Sequence, residues 1–296
     1  MDKLDAAIAR LQEAARMSQQ IYEKPLMITY SGGKDSDVLL HLAIKAKIQM
    51  EVVHSHTTVD MPETVRHVRD VFHRLENQGI PCTVHMPTYK GKPVTMWTLI
   101  PQKRMPPTRI ARYCCDILKE NTGQGRFIAT GVRWEESASR KNRGTFEVMH
   151  KNKEKRLFLQ NDNDESRRLF ETCRLKAKRA CNPIIDWTDT DIWDYIRDNQ
   201  IRTNVMYCHF NRIGCIGCPM AGRSGRQKEF RLYPTYQRAY IHAFDRMLEE
   251  GIRNGLCYDK WQSGEDVFHW WMQDGVLPGQ LEFGEEGNNH GGYENT

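Results

Sequence analysis

Apolar residues recur at helical spacing over residues 3 to 21. Leu4, Ala7, Ile8, Leu11, Ala15 and Ile21 form one stripe, which predicts an amphipathic helix ending before Pro25. Leu26-Met27-Ile28-Thr29-Tyr30 is a short apolar run of the kind a buried parallel strand shows. Helical spacing returns at Val38, Leu39, Leu42, Ala43 and Ala46. Met50 to Ser55 reads as a second strand, and Pro62 to Glu76 as a helix opened by proline. Cys82 to Met86 and Arg126 to Thr130 are the third and fourth strands. Strands alternating with helices predict an α/β fold: a parallel twisted sheet flanked by helices.

Beyond Arg140 the pattern weakens. Pro183-Ile184-Ile185 reads as a short strand or extended segment, and Thr188 to Asp191 as the capped start of a helix carrying Ile192, Trp193, Tyr195 and Ile196. Residues 205–222 are irregular and rich in Gly and Cys, Lys228 to Glu250 reads as one helix, and 284–296 as a frayed tail. The expected organisation is an N-terminal helix over 1–24, an α/β domain over 25–200, a helical, cysteine-rich subdomain over 201–283, and the tail.

The 296 residues are 39% hydrophobic and 27% charged, a globular composition. No apolar run approaches the roughly 18 residues of a membrane span. The N-terminus lacks the apolar core of a signal peptide, so a cytoplasmic location is expected, where thiols stay reduced. The nine cysteines are then packing residues, nucleophiles or metal ligands rather than disulfides. Net charge is +5, yet Ala138 to Cys181 holds thirteen Lys/Arg against six Asp/Glu. This basic segment, 140–179, suggests a polyanionic partner such as a nucleotide or nucleic acid.

The first strand runs into Ser31-Gly32-Gly33-Lys34-Asp35-Ser36, which runs into a helix. Two glycines allow a tight turn with exposed N–H groups, and the helix N-terminus points its positive end at the same spot. Ser31 and Ser36 add hydroxyls and Lys34 a cation. The arrangement fits a phosphate, although the spacing is not that of a Walker loop.

Ser31 to Ser36 resembles the PP-loop of the adenine nucleotide alpha-hydrolase superfamily, and the branch it is most similar to is the phosphoadenosine phosphosulfate (PAPS) reductase family. His56 to Thr64, ending in Pro-Glu-Thr, resembles the family's segment after its second strand. Gly131-Val132-Arg133-Trp134-Glu135-Glu136-Ser137 with Arg140 resembles its Gly-x-Arg-x-x-x-Ser element, and Asn182 to Thr188 with Asp191-Ile192-Trp193 also matches. The resemblance implies ATP and Mg²⁺ as ligands, with cleavage to AMP and pyrophosphate. It implies nucleotide-binding roles for Ser31, Gly32, Gly33, Lys34, Asp35, Ser36, Thr57, Gly131, Arg133 and Arg140. Asp35 would hold Mg²⁺, and Arg133 and Arg140 would neutralise the alpha phosphate. Sulfonucleotide reductases carry a degenerate loop and a Glu-Cys-Gly-x-His nucleophile; this chain keeps S-G-G-K-D-S and contains no Glu-Cys-Gly. The implied function is therefore that of an ATP-dependent sulfurtransferase, as in DNA phosphorothioation, acting on a nucleic acid with a sulfur-donor protein or partner subunit. A reductase of adenylyl sulfate or PAPS and an ATP-sensing subunit of a defence or regulatory complex are the other readings.

Cys215-Ile216-Gly217-Cys218 is a C-x-x-C in a glycine-flanked loop, which favours metal over a redox pair. Thiolates suit zinc or an iron–sulfur cluster, and the resemblance implies [4Fe–4S]. It places a cysteine at Cys173, giving Cys173, Cys208, Cys215 and Cys218 as ligands and leaving Cys115 free to carry sulfur. Adenylyl-sulfate reductases use a Cys-Cys pair with C-x-x-C instead, which would be Cys114, Cys115, Cys215 and Cys218. Cys82 and Cys257 read as buried packing residues, and Trp261, Trp270 and Trp271 as core or interface aromatics.

Overall fold

The computed structural model describes residues 2–120, 122–149, 178–273 and the backbone of 157–159. Helix α1 (Lys3–Tyr22) buries Ala7, Leu11 and Ala14 against the sheet, with Leu4, Ile8, Ala15 and Ile21 packed at the margin of the same core. Strand β1 (Leu26–Thr29) leads to α2 (Lys34–Lys45), β2 (Met50–Ser55), α3 (Pro62–Glu76) and β3 (Cys82–His85). A hairpin of β4 (Thr88–Tyr89) and β5 (Lys92–Pro93) and helix α4 (Met96–Lys103) precede β6 (Phe127–Ala129). Next come β7 (Phe146–Met149), β8 (Leu157–Leu159), β9 (Lys178–Cys181) and α5 (Asp189–Asp198). Helices α6 (Arg223–Leu232), α7 (Pro234–Arg253) and α8 (Gly264–Met272) close the described chain.

The main sheet has the order β3-β2-β1-β6-β9-β7-β8. Strands β3, β2, β1, β6 and β9 are parallel, and β7 and β8 extend that edge antiparallel. Leu26 and Ile28 on one face of β1 and Met27 on the other are all buried, as a central strand covered on both faces requires. Because β1 lies between β2 and β6, the segments after Thr29, Ser55 and Ala129 emerge side by side. Ligands of such sheets bind at this carboxyl edge.

Three expectations change. Pro183-Ile184-Ile185 is a turn, not a strand, because proline lacks an N–H and the Ile185 N–H folds back to Asn182 O at 3.2 Å. The strand lies just before it, as β9. The expected helix over 228–250 is two, divided at Tyr233, with Pro234 at the first position of α7. Cys257 is exposed, with its thiol 3.0 Å from Asp259 Oδ1, rather than a packing residue. The tail 284–296 lies outside the described residues.

A second hydrophobic core joins Val59, Met61, Leu99 and Ile100 to Ile216, Phe230, Tyr240, Phe244 and Trp271. The helical subdomain is thus built on α4 and the segment after β2 as well as on the C-terminal helices. Trp271 is buried there and donates to Pro107 O at 2.6 Å, and Trp261 packs edge-on to Trp270 at 4.9 Å. Among the described residues no helix is long and apolar enough to cross a membrane.

Candidate nucleotide and cysteine site

The turn after β1 is shaped by contact. Gly32 has φ +76°, and a Cβ there would meet Val68 Cγ2 at 3.0 Å and Thr64 Cγ2 at 3.1 Å. Ser36 Oγ donates to Gly33 O at 2.7 Å and accepts the Gly33 N–H at 3.1 Å, while Ser31 Oγ stands 3.2 Å from it. The loop is thereby fixed at the N-terminus of α2. Gly131 packs close: a Cβ there would lie 3.0 Å from Asp35 O.

Charged groups converge on this turn. Lys34 is buried; its ammonium donates to Asp189 Oδ1 at 2.6 Å and lies 3.4 Å from Asp35 Oδ1. Arg133, 2% exposed, donates from Nε to Asp35 Oδ1 at 2.7 Å and from NH2 to Asp189 Oδ1 at 2.9 Å. Two buried cations are therefore balanced by two carboxylates at a phosphate-shaped turn. Partial burial alone would raise the Asp189 carboxyl; Lys34 and Arg133 outweigh it and hold it below the usual carboxylate range. The backbone N–H of Lys34 donates to Tyr207 Oη at 2.7 Å, and Tyr207 stacks edge-on against Trp193 at 5.3 Å.

Ser31, Gly32, Gly33, Lys34, Asp35, Ser36, Gly131 and Arg133 are brought together. Arg140 stands one residue further out, paired with Glu136, whose Oε1 accepts the Arg133 N–H at 3.1 Å. Thr57 is buried, and its Oγ1 accepts from Cys215 Sγ at 3.5 Å. Asp189, Tyr207 and Asn204 are additions that the linear motifs do not mark. Asn204 is buried and donates to Thr64 Oγ1 at 2.9 Å, bracing α3 against the loop. The only signal for Asp189 was its place in the capped start of α5.

The C-x-x-C turn docks against the segment after β2. Ile216 N–H donates to Val59 O at 2.8 Å, and Asp60 and Cys215 form a backbone bridge. Gly217 has φ +72°, and a Cβ there would lie 2.7 Å from Phe230 Cζ, so the turn demands glycine. Its N–H donates to Glu229 Oε2 at 2.7 Å; burial pushes that carboxyl up to about 7. Cys114 precedes a π-helical turn over Cys115–Lys119; its neighbour Cys115, burial, and the nearby Cys215 and Cys218 together push its thiol up. Hydrogen bonding from Cys114 lowers the Cys115 thiol, and Arg112, whose NH2 lies 3.4 Å from Cys115 Sγ, lowers it further.

Cys115, Cys215 and Cys218 thus lie near enough to Cys114 to act on it electrostatically. Cys208 is exposed; Cys173, and with it the set Cys173, Cys208, Cys215 and Cys218, lies outside the described residues.

The basic segment is largely absorbed where it is described. Arg143 pairs with Glu147 at 2.6 Å, Lys178 donates to Thr122 O at 2.6 Å, and buried Arg179 donates to Tyr22 Oη at 2.6 Å. Lys151, Lys153, Lys155, Arg156, Arg174 and Lys176 lie outside the described residues.

A parallel α/β sheet with a phosphate-type turn at the carboxyl end of a central strand defines a nucleotide-binding class of fold. The chain belongs to the phosphoadenosine phosphosulfate reductase domain family, whose model matches residues 25–221. It is 27% identical to an uncharacterized protein of Methanocaldococcus jannaschii, over 74% of this chain and 47% of that protein. The chain thus spans less than half the length of that relative. It is 24% identical to an adenosine 5'-phosphosulfate reductase of Staphylococcus haemolyticus, over 76% of this chain and 86% of the relative. It is 32% identical to a sulfate adenylyltransferase subunit 2 of Magnetococcus marinus, over 63% of this chain and 61% of the relative.

Proposed function

We propose that the protein cleaves ATP to AMP and pyrophosphate, activates an acceptor oxygen as its adenylate, and replaces that oxygen with sulfur. The observation that carries this reading is the pairing of Lys34 and Arg133 with Asp35 and Asp189 at the intact Ser31–Ser36 turn. Pyrophosphate would take over the partners that Asp189 and Tyr207 now occupy. Lys34 and Arg133 would then neutralise charge developing on the leaving group, and Asp35 or Asp189 would turn to Mg²⁺. An acceptor oxygen attacks the alpha phosphorus and pyrophosphate leaves; sulfur then displaces AMP.

Cys114, Cys115, Cys215 and Cys218 would hold a [4Fe–4S] cluster, which when bound supplies iron able to hold and deliver sulfur. In that assignment Cys115 is a ligand rather than a free carrier. A nucleic acid is the acceptor class favoured by the basic segment, with a sulfur donor or partner subunit completing the cycle.

A second reading, reduction of adenylyl sulfate, is favoured by the Cys114–Cys115 pair beside the C-x-x-C and by the likeness to the staphylococcal reductase. One experiment separates them. Protein prepared without oxygen and loaded with iron and sulfide is given ATP, sulfide and DNA or RNA, or else adenylyl sulfate and a thiol. Pyrophosphate in the first mixture is expected. Sulfite from the second, with no pyrophosphate from the first, establishes the reductase instead.

A further inference from the structure

The segment that follows β2 carries a set of ligand groups that nucleotide and thiol chemistry leave unused. One ligand-capable atom from each of His54, His56 and Asp60 lies within 4.8 Å of those of the other two. His54 is 4% exposed, and its Nδ1 stands 2.9 Å from Tyr30 O. A carbonyl can only accept, so Nδ1 carries the hydrogen and Nε2 keeps its lone pair. An imidazole oriented through its other nitrogen onto a backbone carbonyl is the arrangement that metal-ligating histidines use. Asp60 is also buried; its Oδ2 accepts the Thr57 N–H at 2.9 Å and lies 3.6 Å from His56 Nδ1. The His56 side chain is 27% exposed, which leaves a path for an ion from solvent.

We propose that His54, His56 and Asp60 bind a divalent first-row transition cation at a site of their own, distinct from the thiol pocket. Two imidazoles and one carboxylate suit Mn²⁺, Fe²⁺, Co²⁺ or Zn²⁺, whereas Mg²⁺ prefers oxygen ligands throughout. The place in the fold is specific. Tyr30, which orients His54, directly precedes Ser31 of the phosphate turn; Asp60 bridges to Cys215 of the C-x-x-C. The site thus lies on the wall shared by the two halves of the candidate active centre.

Manganese(II) is the probe, because it favours nitrogen and oxygen over thiolate. The full chain, without nucleotide, is titrated with Mn²⁺ while the electron paramagnetic resonance signal of free Mn²⁺ is followed; pulsed measurements then read ¹⁴N coupling in the bound ion. The expected result is one saturable ion per chain with imidazole nitrogen coupling. His56→Gln and Asp60→Asn each weaken binding at least tenfold, and Cys115→Ser and Asp35→Asn leave it unchanged. Thermal melts identify any variant that fails to fold, and the partly exposed His56 is the position chosen to avoid this. Absence of saturable binding, bound Mn²⁺ without nitrogen coupling, or an affinity that follows Asp35 or Cys115 instead overturns the assignment. None of these readouts depends on ATP cleavage, so failure of this site and failure of the proposed activity are distinguishable.

Discussion

The hydroxyl of Tyr207 accepts the backbone N–H of Lys34 at 2.7 Å, at the N-terminus of α2 where a phosphate would be expected to sit. A residue 173 positions away in sequence thus satisfies the donor that the loop presents. Removing the hydroxyl frees that N–H. Tyr207→Phe should tighten ATP binding roughly two- to tenfold, the equivalent of a net hydrogen bond of about 0.5–1.5 kcal/mol, and cost a similar amount of stability without ligand. Calorimetric titration and thermal melts check both. Weaker ATP binding would mean that the hydroxyl contacts the nucleotide itself.

Asp189 gives a pH signature. Its carboxyl is held below the ordinary range by Lys34 and Arg133 despite partial burial. A depressed acid contributes stability that is present above its unfolded value, 3.8, and is lost as pH falls through the lower folded value. Asp189→Asn should therefore reduce stability near neutrality and flatten the acid limb of the stability profile. Denaturant unfolding from pH 2.5 to 7, about the span of that linkage, checks this; an acid limb as steep as in the parent protein would show that Asp189 does not contribute to it.

Glu229 has the opposite sign. Burial raises it from 4.5 to about 7, so the folded state holds its proton more tightly than the unfolded chain. Stability is lost as pH rises between those values. Glu229→Gln keeps an acceptor for the Gly217 N–H and should remove that loss. The variant should gain on the parent above pH 7 relative to its standing at pH 4.5. Parallel pH profiles would contradict the raised value.

The cysteines make a discrete pattern. Serine at Cys114, Cys115, Cys215 or Cys218 should abolish the broad visible absorption and bound iron of anaerobically loaded protein, while Cys208→Ser should retain both. Iron and sulfide analysis decides. Iron loss with Cys208→Ser and retention with Cys114→Ser would restore the other ligand set.

Much of this was legible in the chain. Ser31 to Ser36 stood between the apolar run ending at Tyr30 and the helical stripe from Val38, and the structure puts the loop there. Helix α1 and the first two strands also followed from spacing, because α1 buries one face and β1 and β2 bury both. What spacing could not reveal was partnership across the sequence. Which thiols stand near the C-x-x-C depends on Ile216 docking on Val59 and on the turn at Cys115, placements that join segments about a hundred residues or more apart. Asp189 hid in a helix-capping pattern that satisfies local chemistry on its own, and Tyr207 in a stretch with no periodicity. Strands β7 and β9 are four residues each and carry Glu147, Lys178 and Arg179, so charge masked their period. Glu147 and Arg179 are nevertheless buried, paired with Arg143 and Tyr22.

The central claim is that the Ser31–Ser36 turn grips the pyrophosphate half of ATP. ³¹P nuclear magnetic resonance of ATP incubated with the cluster-loaded protein, Mg²⁺, sulfide and nucleic acid reads which phosphorus–oxygen bond breaks. The account predicts AMP and pyrophosphate, with the yield falling at least a hundredfold in Lys34→Ala and Arg133→Ala. ADP and orthophosphate as the products, or equal pyrophosphate yield from those two variants, would contradict it.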